Sequence, residues 1–169
     1  WNRFDLVKGF EKLIEQGMIV SLRAIQGHSF DSEFEKFTKP MPQECTILYH
    51  GTYLDRLDSI VKHGLKAGGM DHSRRSENHF SMVSTYDLLH SPDRTRDSLP
   101  GYNQKSEVVL WVDVASCIER GVNFRLTLSN AVLCRDKIPR ECFIKATYSH
   151  SNRLVADYRA VAVPVAKKS

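Results

Sequence analysis

The sequence LRAIQGHS, residues 22–29, decides how the rest of the chain is interpreted. It follows the apolar run 18–22, and an apolar run that ends in such a polar set predicts a buried strand delivering side chains to a site. Arg23 presents a planar, permanently charged fork that suits phosphate, and Gly27 lets a ligand or a neighbouring strand approach the backbone. The neutral donors and acceptors of this stretch belong to Gln26, His28 and Ser29.

Two further polar clusters are predicted at strand ends. The first is LYHGT, residues 48–52, where Thr52 is a candidate N-cap whose neighbouring amides hold an anion or an amide oxygen. The second is His79-Phe80-Ser81, which Arg75 precedes in a predicted loop. Each cluster alone has a structural explanation: a helix cap, a surface ion pair or a hydrogen-bonded histidine. The three together favour one ligand site.

The composition is that of a globular protein of 169 residues, 41% hydrophobic and 26% charged. The net charge of +4 is compatible with a phosphate-bearing partner without requiring one. No apolar run reaches the roughly 18 residues of a membrane span and no signal peptide opens the chain, so we expect an intracellular protein, cytoplasmic or nuclear, with no membrane partner. The absence of GxGxxG and GxxxxGK[ST] motifs excludes the usual Rossmann and P-loop phosphate cradles.

The four cysteines form no CxxC pair, which argues against zinc. The apolar contexts of Cys117, Cys134 and Cys142 favour buried free thiols.

The apolar periodicity predicts short strands with a few helices, and therefore the α+β class. The predicted helices are 3–16, 54–63 and 115–120, and the predicted strands are 18–22, 45–49, 80–84, 108–114, 124–128, 131–134, 142–148 and 160–165. Glycines 17, 64 and 121 are the expected helix ends. Segments 39–44, 65–78 and 85–104 are predicted to be irregular.

The order and spacing of these polar residues resemble the RNA 2′-phosphotransferase family. The resemblance is carried by RAxQGHS at 23–29, LYHGT at 48–52, IxxxGL at 60–65 and RxxxHFS at 75–81. The segments VVLxVD at 108–113, GxxF at 121–124 and NxVL at 130–133 fit the same family. The resemblance extends to about Pro139, which is most of the chain, and its most specific part is the RAxQGHS run.

This resemblance implies an ADP-ribosyltransferase fold, a split β-sheet core whose cleft binds NAD as co-substrate, and a partner that is RNA or another phosphate-bearing nucleic acid. Members of the family transfer an internal RNA 2′-phosphate to NAD with release of nicotinamide. The residues expected to contact phosphate and to be catalytic are Arg23, Arg75 and Lys105. The residues expected to bind NAD are Gln26, Gly27, His28, Ser29, His50, Gly51, Thr52, His79 and Ser81.

The chain departs from the family pattern in its cations. The family has a basic winged-helix lobe with an Arg-His pair, whereas here one helix precedes the motif and no Arg-His pair occurs, so the lobe is expected to be largely missing. The family has a phosphate-binding arginine before its Val-rich strand, and this chain has none at that place. Lys105, Arg94 and Arg96 are the candidates to take its role. Glu77 stands where the family has a histidine, and it either stabilises positive charge at the cleft or is solvated.

Three interpretations remain open. The chain is an NAD-dependent transferase of a nucleic-acid phosphate, an ADP-ribosyltransferase acting on proteins or terminal phosphates, or a non-catalytic module of a larger, for example viral, polypeptide. Because the chain starts at Trp1 without an initiator Met, we expect flanking domains. We predict a helix, the first motif strand and a connection in residues 1–38, and the remainder of the NAD-binding core in residues 39–169.

Overall fold

The computed structural model describes residues 38–67, 77–90, 101, 103 and 105–159, which all belong to one compact unit within residues 37–169. The described strands are β1 (Thr38–Lys39), β2 (Ile47–Thr52), β3 (Asn78–Phe80), β4 (Val108–Asp113), β5 (Arg125–Thr127), β6 (Val132–Cys134), β7 (Phe143–Tyr148) and β8 (Leu154–Asp157). The described helices are α1 (Leu54–His63), α2 (Thr85–His90) and α3 (Val114–Glu119), and a 3₁₀ turn, Arg140–Cys142, precedes β7. The predicted helix 3–16 and strands 18–22 and 160–165 lie outside the described residues, and the domain boundary after residue 38 stays a prediction.

The strands form two four-stranded antiparallel sheets. The first sheet has the order β1-β5-β6-β3 and the second has the order β2-β4-β7-β8. The β2–β4 pair runs in continuous register from Ile47 opposite Asp113 to Thr52 opposite Val108. Two antiparallel sheets with a few short helices confirm the predicted α+β class.

Both sheets contribute to one hydrophobic core, because alternate residues of their strands are apolar. Leu48, Leu110 and Val112 come from the second sheet, Phe80 and Val132 come from the first, and all five are fully buried. Burial of each such side chain stabilises the fold by about 1.5–3 kcal/mol. This shared core fixes the strand ends that carry the candidate site.

Helix α1 has the predicted bounds, and Gly64, with a φ of 79°, ends it by donating its N–H to the Ile60 carbonyl. The prediction that Thr52 is the N-cap is wrong, because β2 continues through Thr52 and Tyr53 occupies the cap position. The carboxylate of Glu107 instead accepts a hydrogen bond from the Leu54 N–H at 3.0 Å. The exposed Glu107 carboxylate therefore meets the positive end of the α1 dipole.

Helix α2 lies in a segment that was predicted to be irregular, so that prediction is wrong for residues 85–90. The Ser84 hydroxyl accepts from the Asp87 N–H at 3.0 Å and donates to the Asp87 carboxylate at 2.5 Å. The Ser84 hydroxyl therefore caps the start of α2, and the pattern S-T-Y-D is its local signal. Six residues are too few for apolar periodicity to reveal a helix.

The remaining differences concern strands and their ends, and β1, whose Lys39 was predicted to be irregular, is one of them. The predicted strand 80–84 is in fact Asn78–Phe80, and Val114 begins α3, where the Asp113 side chain caps the helix through the Ser116 N–H. Strand β8 was not predicted, since it is an edge strand with partly exposed residues and shows no apolar alternation. None of the described helices is long and apolar enough to cross a membrane.

The thiols of Cys117, Cys134 and Cys142 are free and buried, as predicted. Burial raises the pKa of all three, to about 11 for Cys134. They are therefore core groups that stay protonated at neutral pH.

Candidate functional site

The described site residues meet where the two sheets join. Tyr49 on β2 and Ser81, directly after β3, exchange two backbone hydrogen bonds of 2.9 Å each. This bridge is isolated, and within the described residues the ladder between β2 and β3 does not continue beyond it. The strands therefore separate at His50 and Gly51, and we call this separation the split.

The His50 side chain lies at the split. Its Nδ1 is 2.9 Å from the carbonyl oxygen of His79, and its ring centroid is 5.3 Å from that of Phe80. Because a carbonyl only accepts, Nδ1 carries the proton and Nε2 keeps a lone pair in the neutral ring. Burial lowers the pKa of His50, and the hydrogen bond to His79 opposes this only in part. His50 is thus a neutral imidazole of fixed tautomer at physiological pH.

The backbone of Gly51 also faces the split. The Val114 N–H donates to the Thr46 carbonyl, so the even-numbered residues of β2 form the hydrogen-bonded pairs with β4. Gly51, opposite Val109, therefore directs its N–H and C=O away from β4 and toward β3. Within the described residues the pairing with β3 stops at Tyr49, so this donor and acceptor belong to no described ladder.

Two other predicted ligand contacts serve the local backbone. The Ser81 hydroxyl donates to the Val83 carbonyl at 2.9 Å and accepts from the Val83 N–H at 3.1 Å, which forms a tight turn after β3. Thr52 is buried at the end of β2, and its carbonyl accepts from the Glu107 N–H. Both residues shape the edges of the split.

The structure thus brings together His50, Gly51, His79 and Ser81, with Thr52 at the strand end. Lys105 is exposed in the turn that leads into β4, where its N–H donates to the Asn103 side chain. The other predicted site residues lie outside the described part of the chain: Arg23, Gln26, Gly27, His28, Ser29 and Arg75.

Glu77 is neither solvated nor alone. Its side chain is 8% exposed, and its Oε1 accepts from the guanidiniums of Arg125 and Arg135. Neither arginine is among the site residues predicted from the sequence. The signal for Arg125 was the alternation Arg125-Leu126-Thr127, which places a cation on the face of β5 opposite the core-facing Leu126.

An aromatic patch covers the face of the second sheet opposite the core. The ring centroids of Tyr49 and Trp111 are 4.8 Å apart, the Lys145 ammonium lies 4.0 Å from the Trp111 ring centroid, and the Trp111 N–H donates to the Thr147 hydroxyl. A recess adjoins it, and the buried hydroxyl of Thr85, which lines this recess, has no hydrogen-bond partner among the described residues. Flat rings and a cation at this face suit planar, electron-rich groups.

The chemistry that this arrangement supports is orientation rather than proton transfer. A neutral histidine with a fixed acceptor, beside a peptide group that no described ladder with β3 occupies, can position a hydroxyl and a carboxamide of a ligand. Among the described residues of the split, none is placed as a nucleophile beside a base.

A comparison with protein families agrees with the motif spacing. The model of the family described as RNA 2′-phosphotransferase, Tpt1 / KptA family, matches residues 2–136.

Proposed function

The chain belongs to the RNA 2′-phosphotransferase, Tpt1 / KptA family, and on this premise we propose that it is an NAD-dependent enzyme that removes an internal 2′-phosphate from RNA. The observation that carries the proposal is the split, where the neutral His50 lies beside the Gly51 peptide group, which is in no ladder with β3 among the described residues. These groups match the hydroxyls and the carboxamide of the nicotinamide ribose half of NAD.

The proposed reaction has two steps. The RNA 2′-phosphate oxygen attacks the ribose carbon that bears nicotinamide, the glycosidic bond breaks, and nicotinamide leaves with the bonding electrons. In the intermediate, the neighbouring ribose 2″-hydroxyl attacks phosphorus and the RNA 2′-oxygen leaves as a hydroxyl. The products are 2′-hydroxyl RNA and ADP-ribose 1″,2″-cyclic phosphate.

The protein's part in this chemistry is to orient and to stabilise charge. The first transition state is an oxocarbenium-like ribosyl centre, so holding the dinucleotide in line with the phosphate supplies much of the acceleration. We assign the nicotinamide ribose and carboxamide to His50, Gly51 and Thr52, and the pocket edge to His79 and Ser81. The remaining NAD contacts belong to Gln26, Gly27, His28 and Ser29, and the phosphate contacts belong to Arg23, Arg75 and Lys105.

The test is nicotinamide release from NAD with two RNA oligonucleotides that differ only in one internal 2′-phosphate. We expect release with the phosphorylated oligonucleotide alone, and complementation of a cell that lacks its own 2′-phosphotransferase. NAD binding without nicotinamide release would instead select a non-catalytic module. Nicotinamide release that does not depend on the 2′-phosphate, together with modification of proteins or terminal phosphates, would select a redirected ADP-ribosyltransferase.

The matched variant is Arg23→Ala, which should abolish phosphate transfer while leaving the fold intact. Loss of one charge-assisted contact to a transferring phosphate costs about 2.7–4 kcal/mol, or about 10²–10³ in kcat. Wild-type turnover in this variant would refute the role of Arg23.

A further inference from the structure

Glu77, Arg125 and Arg135 form a charged cluster that the proposed reaction does not yet use. The Oε1 atom of the buried Glu77 carboxylate accepts from Arg125 Nη2 and, at 3.0 Å, from Arg135 Nε. One oxygen of Glu77 thus contacts two guanidiniums. The Arg125 side chain is 25% exposed, so its guanidinium is accessible from solvent.

The strand registers place Arg125 in one row with the split. Arg125 lies opposite Leu133, and Leu133 lies opposite His79. Continuing the antiparallel register of the Tyr49–Ser81 bridge places Gly51 opposite His79. Paired residues point to the same face of a sheet, so Arg125 and His79 share the face opposite the buried Phe80.

The spacing suits a ligand that starts at the split and extends across the first sheet. Neighbouring strands are about 4.8 Å apart, so the Cα of Arg125 lies about 10 Å from that of His79. Arginine carries a planar donor fork that binds phosphate oxygens in pairs, and a partly desolvated guanidinium is stabilised by a second anion.

We propose that Arg125, held in place by Glu77 and accompanied by Arg135, binds a phosphate group of the bound substrate. This inference rests on the proposed function, because it assumes a phosphate-bearing substrate at the split. The shared chemistry is a phosphate ester with two adjacent oxygens. It belongs either to the diphosphate of NAD or to a backbone phosphate of the RNA.

The kinetic experiment measures KM for NAD and KM for the 2′-phosphorylated RNA separately, in the full chain and in Arg125→Gln. A charged hydrogen bond of this kind corresponds to about a 10- to 100-fold change in affinity. A rise of this size in KM for NAD identifies the diphosphate, and a rise in KM for RNA identifies the backbone phosphate. Arg120→Gln is the control, since Arg120 is exposed and its guanidinium donates to the Ser116 carbonyl of the adjacent helix α3.

A second variant separates binding from a structural role. Glu77→Gln removes the competing carboxylate, so phosphate affinity should rise or stay equal while Arg125→Gln lowers it. If the cluster were only structural, both variants would lower the melting temperature and leave both KM values unchanged, and that result overturns the proposal. Unchanged KM values in a stable Arg125→Gln protein overturn it as well.

A binding measurement tests the phosphate site at Arg125 independently of catalysis. Inorganic pyrophosphate at millimolar concentration should raise the melting temperature of the wild type and of Arg120→Gln, but not that of Arg125→Gln. This result supports the phosphate site even when the wild type releases no nicotinamide. Equal stabilisation of all three proteins overturns the site, even when the enzyme is active.

Discussion

Gly101 offers the sharpest test of how tightly the end of β3 is held. Its φ is +82°, and a Cβ atom added to it would lie 1.9 Å from the Phe80 carbonyl oxygen and 2.4 Å from the carbonyl carbon. Both contacts are with backbone, so no side-chain rotation relieves them. Gly101→Ala must therefore move the chain at Gly101 away from the strand end that carries Ser81.

The magnitude follows from a comparison with Gly121, which has a similar φ of +77° but no atom within 4 Å of an added Cβ. Gly121→Ala incurs only the left-handed backbone strain, about 1–2 kcal/mol. Gly101→Ala incurs the same strain and the cost of overpacking, which brings the loss to about 2–5 kcal/mol. In a chain of this length each kcal/mol lowers the melting temperature by about 2–4 °C.

The assay is urea denaturation of both variants together with nicotinamide release. We expect Gly121→Ala to keep wild-type turnover and Gly101→Ala to lose it by up to about 100-fold, because a displacement of about 1 Å near a reacting centre has such an effect. Equal destabilisation of the two variants would refute the close contact with Phe80. A strongly destabilised Gly101→Ala with wild-type turnover would show that this contact does not support the site.

Other predictions follow from single contacts. Burial lowers the pKa of His50 below its ordinary 6.5, so the unfolded state binds a proton more readily than the folded state. The contribution of His50 to the free energy of unfolding is therefore fully present above about pH 6.5 and is lost as the pH falls. His50→Gln should flatten that part of the stability curve, measured by urea denaturation between about pH 5 and 7.5, and an unchanged slope would contradict the assignment. A thiol reagent at about pH 8 should label the half-buried Cys45 of the native protein before Cys134, whose burial raises its pKa to about 11; equal rates would argue that the core opens locally. Glu107→Gln weakens the charged cap at the Leu54 N–H and should destabilise the fold by about 0.5–1 kcal/mol at low salt. If the destabilisation by Glu107→Gln is equally large in 1 M salt, the cap does not act through charge.

The sequence predicted the elements whose signals are local. Helix α1 shows its apolar face and its closing Gly64, and β4 is an uninterrupted apolar run, so both were found close to their observed bounds. The motif HGT was placed correctly at the end of a strand, although β2 runs three residues further than predicted, because His50, Gly51 and Thr52 continue the pairing with β4.

The features that the sequence did not predict depend on contacts between distant residues. Nothing near Glu77 indicates that Arg125 and Arg135 enclose it, since they lie 48 and 58 positions away. The capping role of Glu107 is likewise invisible, because the helix that it caps begins 53 positions earlier. Such pairs become neighbours only through strand order, which one sequence does not specify.

The strand order also has a kinetic consequence. Strand β2 pairs with β4, so Ile47 lies opposite Asp113, and β1 pairs with β5, so Thr38 lies opposite Thr127. Long chain segments must close before either ladder forms, and topologies of this kind fold in about milliseconds to seconds rather than microseconds. The split exists only after β2, β3 and β4 have all assembled, so a ligand at the split meets a finished domain. It therefore slows unfolding by mass action and leaves the folding rate unchanged.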